Sequence, residues 1–307
     1  MRARHLLSVA DLDADEIAAI LDTAVRFKRQ GSGPLLAGKT LALVFEKPSL
    51  RTRVSFQVAM QRLGGETIYL SQNEVGLGAR EAVKDVARVL GRYIDVIAAR
   101  TMTQRTVEEL AHYSGVPVIN ALSDTEHPCQ ALADLLTMRE HSEGLAGTRV
   151  AFIGDGNNVA ASLTLACATA GMHITLASPD GYGVPAEPLA LAETRAESSG
   201  GSVRVVHEPE EAVQDAQFIY TDVWVSMGQE EEAAERREAF APYCVDMALL
   251  ARAPRGVKVM HDLPAHRGEE ITDEVMESPQ FIGFDQAENR LHAEQALLAV
   301  MLAGSER

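Results

Sequence analysis

Ser49-Leu50-Arg51-Thr52-Arg53 follows a short β-branched run ending at Phe45 and opens a helical pattern that continues to Leu63. Ser49 sits where an N-cap belongs, which puts Arg51 and Arg53 in the first helical turn. Cations there oppose the helix dipole, so helix stability does not explain them. A bound anion does: backbone N–H groups, two hydroxyls and guanidinium forks can converge on one phosphate. The bland alternative is a capped helix with two solvated arginines. Further along, Arg100 closes the run Ile94–Ala99, and His127-Pro128-Cys129-Gln130 opens another helical stretch. A lone His is more often structural than chemical. A His and a Gln at a helix start, where strand ends meet, nevertheless suit hydrogen bonds to a carbonyl oxygen and an amide.

The second half holds a different chemistry. Gly154-Asp155-Gly156-Asn157-Asn158-Val159 partly mimics a dinucleotide fingerprint, but Val159 occupies the third glycine position, so the match is weak. Asn157 and Asn158 present amide donors at a helix start, suited to an α-carboxylate. Asp222 ends the run Phe218–Thr221 and precedes Trp224, Ser226, Met227 and Gly228. A carboxylate at the C-terminal edge of a strand is well placed for a cationic amine; alone, it could equally be a helix cap or a surface pair. The Glu-rich run Gln229 to Arg237 reads as a solvated helix face without chemistry.

Positioning these groups requires strands that alternate with helices. Strands are expected at Thr40–Phe45, Thr67–Leu70, Ile94–Ala99 and Val116–Ile119, then at Arg149–Ile153, His173–Ala177, Ser202–Val206, Phe218–Thr221 and Val257–Met260. The alternation predicts an α/β protein of parallel sheets flanked by helices. The 307 residues suffice for two such domains. Apolar spacing in Pro128 to His141 predicts a helix connecting them, and Asn289 to Leu302 a C-terminal helix. The net charge of −16 argues against nucleic acid as a partner and makes a local Arg cluster more telling. No apolar run is long enough to span a membrane, and the N-terminus lacks the h-region of a secretory signal. Cys129, Cys167 and Cys244 lie far apart without a CxxC pair, which fits a reducing cytoplasm and neither disulfides nor a structural zinc site.

These motifs carry a resemblance. Ser49-Leu50-Arg51-Thr52-Arg53 looks like the Ser-Thr-Arg-Thr-Arg carbamoyl-phosphate motif of aspartate and ornithine carbamoyltransferases, and His127-Pro128-Cys129-Gln130 matches their His-Pro-x-Gln motif. Asp222–Gly228 reads as the Asp-x-x-x-Ser-Met-Gly motif of the ornithine branch, which aspartate enzymes lack. His261-Asp262-Leu263-Pro264-Ala265-His266-Arg267-Gly268 resembles that branch's His-Cys-Leu-Pro-Ala-His-Arg-Gly segment, and Asp285 to Arg290 its C-terminal signature.

The resemblance implies two Rossmann-like domains: residues 1–140 with the C-terminal helix 288–307 for carbamoyl phosphate, and residues 141–287 for ornithine. It assigns Ser49, Leu50, Arg51, Thr52, Arg100, His127, Gln130, Asp262, Leu263 and Arg290 to carbamoyl phosphate. Asn158, Asp222, Ser226 and Met227 go to ornithine, and Arg100, His127 and Asp262 to catalysis. The implied reaction carries the carbamoyl group to the δ-amine of L-ornithine, with no cofactor or metal, in a cytoplasmic homotrimer or multiple of trimers. Three positions depart from the pattern. Leu50 replaces a Thr but spares its backbone N–H. Gly76 stands where many relatives carry a Gln reaching a neighbouring subunit's site. Asp262 replaces a Cys usually assigned a catalytic role. Rival readings are a carbamoyltransferase for putrescine or an acylornithine, and a non-catalytic or NAD-binding Rossmann protein.

Overall fold

The computed structural model describes residues 5–226 and 228–303; Met227 lies outside them. The chain forms two compact units, one of residues 1–136 and 288–307 and the other of residues 137–287.

In the first unit four parallel strands, β1 (Thr40–Phe45), β2 (Glu66–Ser71), β3 (Val96–Arg100) and β4 (Val118–Leu122), lie in the order β2-β1-β3-β4. Residues Leu41 to Phe45 and Val96 to Ala99 are buried, as continuous β-branched and small apolar runs require when helices cover both faces. The chain leaves β1 toward one side for β2 and returns on the other for β3. This reversal opens a crevice at the strands' C-terminal ends, where open α/β sheets place ligands. The predicted strand at Val116–Ile119 is shifted: pairing runs over Val118–Leu122, because Pro117 has no N–H to donate to the ladder.

The second unit has five parallel strands: β5 (Arg149–Ile153), β6 (His173–Ala177), β7 (Ser202–Val206), β8 (Phe218–Thr221) and β9 (Lys258–Met260), ordered β7-β6-β5-β8-β9. Here the reversal falls between β5 and β8, and the Thr221 hydroxyl donates to the Ile153 carbonyl across it (2.7 Å). Gly156 is needed for packing. A Cβ there would lie 2.1 Å from the Gly183 carbonyl carbon, so this glycine serves close backbone approach without any pyrophosphate. The helix Asn158–Thr169 is buried from Val159 to Thr169, in keeping with its small, apolar sequence.

The C-terminal helix begins at Gly283, earlier than the apolar spacing suggested, and runs to Ala303. Its residues from Glu288 onward belong to the first unit. The Glu-rich run also differs from expectation. Glu231, Glu232, Ala234, Glu235 and Arg237 are exposed, but Arg236 is buried and pairs with the buried Asp155 (Nη1 to Oδ2, 3.1 Å). The same Nη1 donates to the Trp224 carbonyl (2.9 Å), and the guanidinium lies over the Tyr182 ring. Arg236 thus ties the turn after β5 to the segment after β8, a tertiary role that its Glu-rich neighbours conceal. Burial pushes the Asp155 carboxyl up to about 6, against the pull of Arg236.

Candidate active site

In the first unit, Ser49 caps the helix Leu50–Arg62, its Oγ accepting from Thr52 N (3.3 Å) and donating to Thr52 Oγ1 (3.0 Å). Leu50 and Arg51 fill the first turn; Leu50 is exposed and Arg51 half-buried. The Arg53 guanidinium stacks over the Tyr69 ring at 3.8 Å from its centroid, so it does not join the predicted convergence of forks. Arg100 ends β3, where the register to β4 shifts between Ala99 and Arg100. Such an irregularity re-aims a side chain, and Arg100 is buried. Its carbonyl accepts from Glu46 N (2.8 Å), which fastens the end of β3 to the end of β1.

His127 and Gln130 open the helix Pro128–Glu140 and are both buried. Arg290 draws the cluster together: Nη1 donates to Gln130 Oε1 (2.7 Å) and Nη2 to Thr52 Oγ1 (3.1 Å). Burial, then Arg290 and Arg100, hold His127 well below the usual histidine range. The imidazole is therefore neutral at physiological pH, a hydrogen-bond donor that carries no charge. Ser49, Thr52, Arg100, His127, Gln130 and Arg290 thus share one anion-seeking cluster. The helix Gly283–Ala303 adds a residue unforeseen by motif, Glu294, whose carboxylate accepts from Arg290 Nε and Nη2 (3.2 and 3.1 Å). Its only sequence signal is the i,i+4 spacing from Arg290.

The second unit gathers acids. Asp222, His261 and Asp262 bring ligand atoms within 4.8 Å of one another. Asp222 Oδ2 accepts from Asn157 Nδ2 (2.8 Å), and Asn157 Oδ1 caps the helix Asn158–Thr169 by accepting from Val159 and Ala160 N (2.9 and 3.1 Å). Asn157 is therefore committed to capping and to aiming Asp222, a correction to its reading as a donor for an α-carboxylate. Asn158, the first helical residue, stays at the rim of the same turn, and Ser226 is half-buried with its N–H on Gln229 Oε1 (3.0 Å). Met227, assigned with Ser226, lies outside the described residues.

His261 is buried with Glu270 at Nε2 (3.1 Å) and Asp262 at Nδ1 (3.4 Å). Leu263 N also approaches Nδ1 (2.9 Å), which favours a ring without a proton there. The carboxylates outweigh it. Burial alone would depress His261, but the Asp262 and Glu270 carboxylates beside its ring nitrogens, with the charge of Asp222, push it up to about 10. Burial and the adjacent Asp262 carboxyl push Asp222 well above the usual carboxylate range. Leu263 is the only described non-glycine residue with positive φ (59°). That left-handed conformation costs roughly 1–2 kcal/mol and is typical of functional segments. Glu270 is the second residue that motif reading missed. It sits in a Glu-Glu pair that looks like ordinary surface, yet it is fully buried.

Among the described residues, one unit thus holds a cation-lined hydroxyl cluster for an anion and the other a carboxylate pair for a cation. Comparison with known proteins agrees with this division. Residues 4–140 match the carbamoyl-P binding domain model of aspartate/ornithine carbamoyltransferases, and residues 146–301 match the Asp/Orn binding domain model. The chain belongs to the aspartate/ornithine carbamoyltransferase family. It is 54% identical over 301 residues to an ornithine carbamoyltransferase of Acidothermus cellulolyticus, covering 97% of this chain and 96% of that one. It is 50% identical to the anabolic ornithine carbamoyltransferase of Pyrococcus furiosus, over 99% and 98% of the two chains. The solved ornithine carbamoyltransferase structure from P. furiosus superposes with a TM-score of 0.95 at 49% identity, covering 99% of this chain and 98% of that one.

Proposed function

We propose that the chain transfers the carbamoyl group of carbamoyl phosphate to the δ-amine of L-ornithine, giving L-citrulline and phosphate. The observation that carries the acceptor's identity is the Asp222–Asp262 pair beside Asn157. Two carboxyls in a buried setting attract an amine and repel a second acidic side chain, which disfavours aspartate as acceptor. The relatives' names support ornithine, and the anabolic relative supports a biosynthetic direction.

In this reading Ser49, Arg51, Thr52, the Leu50 backbone N–H and Arg290 hold the phosphate group. Arg100, His127, Gln130 and Thr52 hold the carbamoyl group. Asn158, Ser226 and Met227 hold the α-carboxylate and α-amine of ornithine, while Asp222 and Asp262 receive the δ-amine near the Leu263 carbonyl. The neutral amine attacks the carbamoyl carbon, a C–N bond forms, and the carbonyl electron pair moves to oxygen. Thr52, Arg100 and neutral His127 donate to that oxyanion. Collapse breaks the C–O bond to phosphate, which leaves against Arg51 and Arg290 and accepts the amine's proton. The donor arrives activated, so positioning and electrostatics suffice without a cofactor or metal.

The reading extends to a homotrimer or multiple of trimers, to which the Gly76–Arg80 loop would contribute, and to the cytoplasm. Exposed Leu50, Val54 and Ile68 offer apolar surface for a subunit contact. No helix among the described residues is long and apolar enough to cross a membrane. The test is citrulline formation from carbamoyl phosphate with ornithine, set beside aspartate, putrescine and N-acetylornithine. A preference for any of the other three overturns the acceptor assignment, and sedimentation of a fully active monomer overturns the trimer.

A further inference from the structure

Glu294 is fully buried, and its Oε1 takes both Nε and Nη2 of Arg290. With Gln130 Oε1 on Nη1 and Thr52 Oγ1 on Nη2, three side chains fix the guanidinium fork. The other carboxylate oxygen, Oε2, is buried without a partner at hydrogen-bonding geometry among the described residues, although the Ser55 hydroxyl interacts with the group. An ionised carboxylate with a buried, under-satisfied oxygen is costly, and a proton on that oxygen lowers the cost. Burial accordingly pushes Glu294 up to about 7 even with Arg290 against it.

The groups that face Glu294 come from three helices. Leu50–Arg62 supplies Thr52 and Ser55, and the C-terminal helix supplies Arg290 itself. Pro128–Glu140 supplies Cys129, Gln130 and, behind Gln130 (Nε2 to Oδ1, 2.8 Å), Asp134. Before an anion binds, burial with Arg290 and Arg100 holds His127 well below the usual histidine range, and burial pushes the Cys129 thiol far up, so Glu294 is the group nearest to titrating.

We propose that Glu294 is a positioning residue for the donor site, one that holds the Arg290 fork and then releases it by taking up a proton when the donor's phosphate group binds. This rests on the assignment of Arg290 to carbamoyl phosphate. A dianion arriving at the guanidinium competes with the carboxylate for its N–H donors and repels its charge. Both effects favour the protonated acid. The step balances simply: the Glu294 carboxylate plus one solvent proton gives the carboxylic acid, while the guanidinium keeps its charge throughout. Linkage then fixes the sign. Proton uptake on binding means that donor affinity falls as pH rises through about 7.

The experiment is calorimetry of the intact protein with sulfate, a dianion that does not itself titrate near neutrality, and with carbamoyl phosphate. Each is measured at about pH 7.5 in two buffers of different ionisation enthalpy. Wild type should take up roughly half a proton per site, and Glu294→Gln close to none, with affinity constant between ~pH 6 and ~pH 8. Comparing the two proteins also separates Glu294 from Asp134. Equal uptake in both overturns the proposal, whatever Glu294→Gln does to thermal stability. If Glu294→Gln does not fold, wild-type sulfate binding without proton uptake overturns it alone. Should both anions bind wild type and Arg290→Ala equally well, the donor-site assignment falls together with the proposal.

Discussion

The two units solve opposite electrostatic problems with the same fold. In the first, burial and then the neighbouring arginines keep His127 neutral. In the second, carboxylates surround a buried histidine and push His261 up to about 10. Both rings sit just beyond the strand ends of a parallel sheet, and burial depresses both. Only the sign of the neighbouring charges differs, and that sign decides the outcome. The contrast teaches that a histidine's role is set by its neighbours, which here come from segments distant in sequence. Each unit also buries a carboxyl that shares its site with an opposite charge or another acid. Glu294 balances Arg290, whereas Asp262 adds to Asp222.

The sharpest way to break this comparison is His127→Ala. Losing one oxyanion donor should lower kcat by roughly 10²–10³ while both KM values change little. A loss confined to KM would move His127 from the chemistry to ground-state binding. Next in size, Asp222→Asn removes the charge-assisted contact that the proposed reading gives to the acceptor amine. It should raise the ornithine KM about thirty- to a hundredfold and leave that for carbamoyl phosphate alone. An effect on both substrates would mean that the two charge sets do not divide the work as described.

A smaller effect is expected from Asn158→Ala, about tenfold on the ornithine KM, since the proposed reading makes it one amide donor to the α-carboxylate. An unchanged KM would withdraw the α-carboxylate site. Asp262→Cys sharpens the acid pair. A carboxylate near the δ-amine raises the amine's pKa, so its removal should move the rise of kcat/KM toward lower pH by about one unit. Superimposable pH–rate profiles would show that the Asp262 side chain takes no part and that only the Leu263 backbone matters.

The smallest effect is on stability. His261 is raised in the folded state, so its contribution is fully present below the unfolded histidine pKa of about 6.5 and is lost as pH climbs through about 10. The melting temperature should therefore decline over that window. Glu270→Gln should flatten the decline by roughly 2–4 °C, as expected for about 1 kcal/mol in a chain of this class. An equally steep decline in the variant would show that Glu270 does not hold the ring's charge.

Much of this was legible in the chain itself. Five of the nine strands among the described residues lie where β-branched runs place them, namely β1 and β5 to β8. Ser49 caps its helix as its residue type requires. Local rules govern those features: β1, β5 and β8 are continuous apolar runs because both faces are buried, and caps depend on one side chain and the next turn. The candidate donor and acceptor residues could also be named from sequence, since motif residues sit at strand ends and helix starts. What the sequence left open were partnerships. Arg53 turns to Tyr69, Asn157 spends its amide on Asp222, Arg236 leaves a Glu-rich surface to meet Asp155, and Glu294 lies under Arg290. Only the tertiary structure decided these: the exposed Arg53 takes the ring that β2 presents, and the others satisfy buried polar groups with whatever the packing brings within about 3 Å. That proximity depends on strand order and helix placement, which local sequence does not encode.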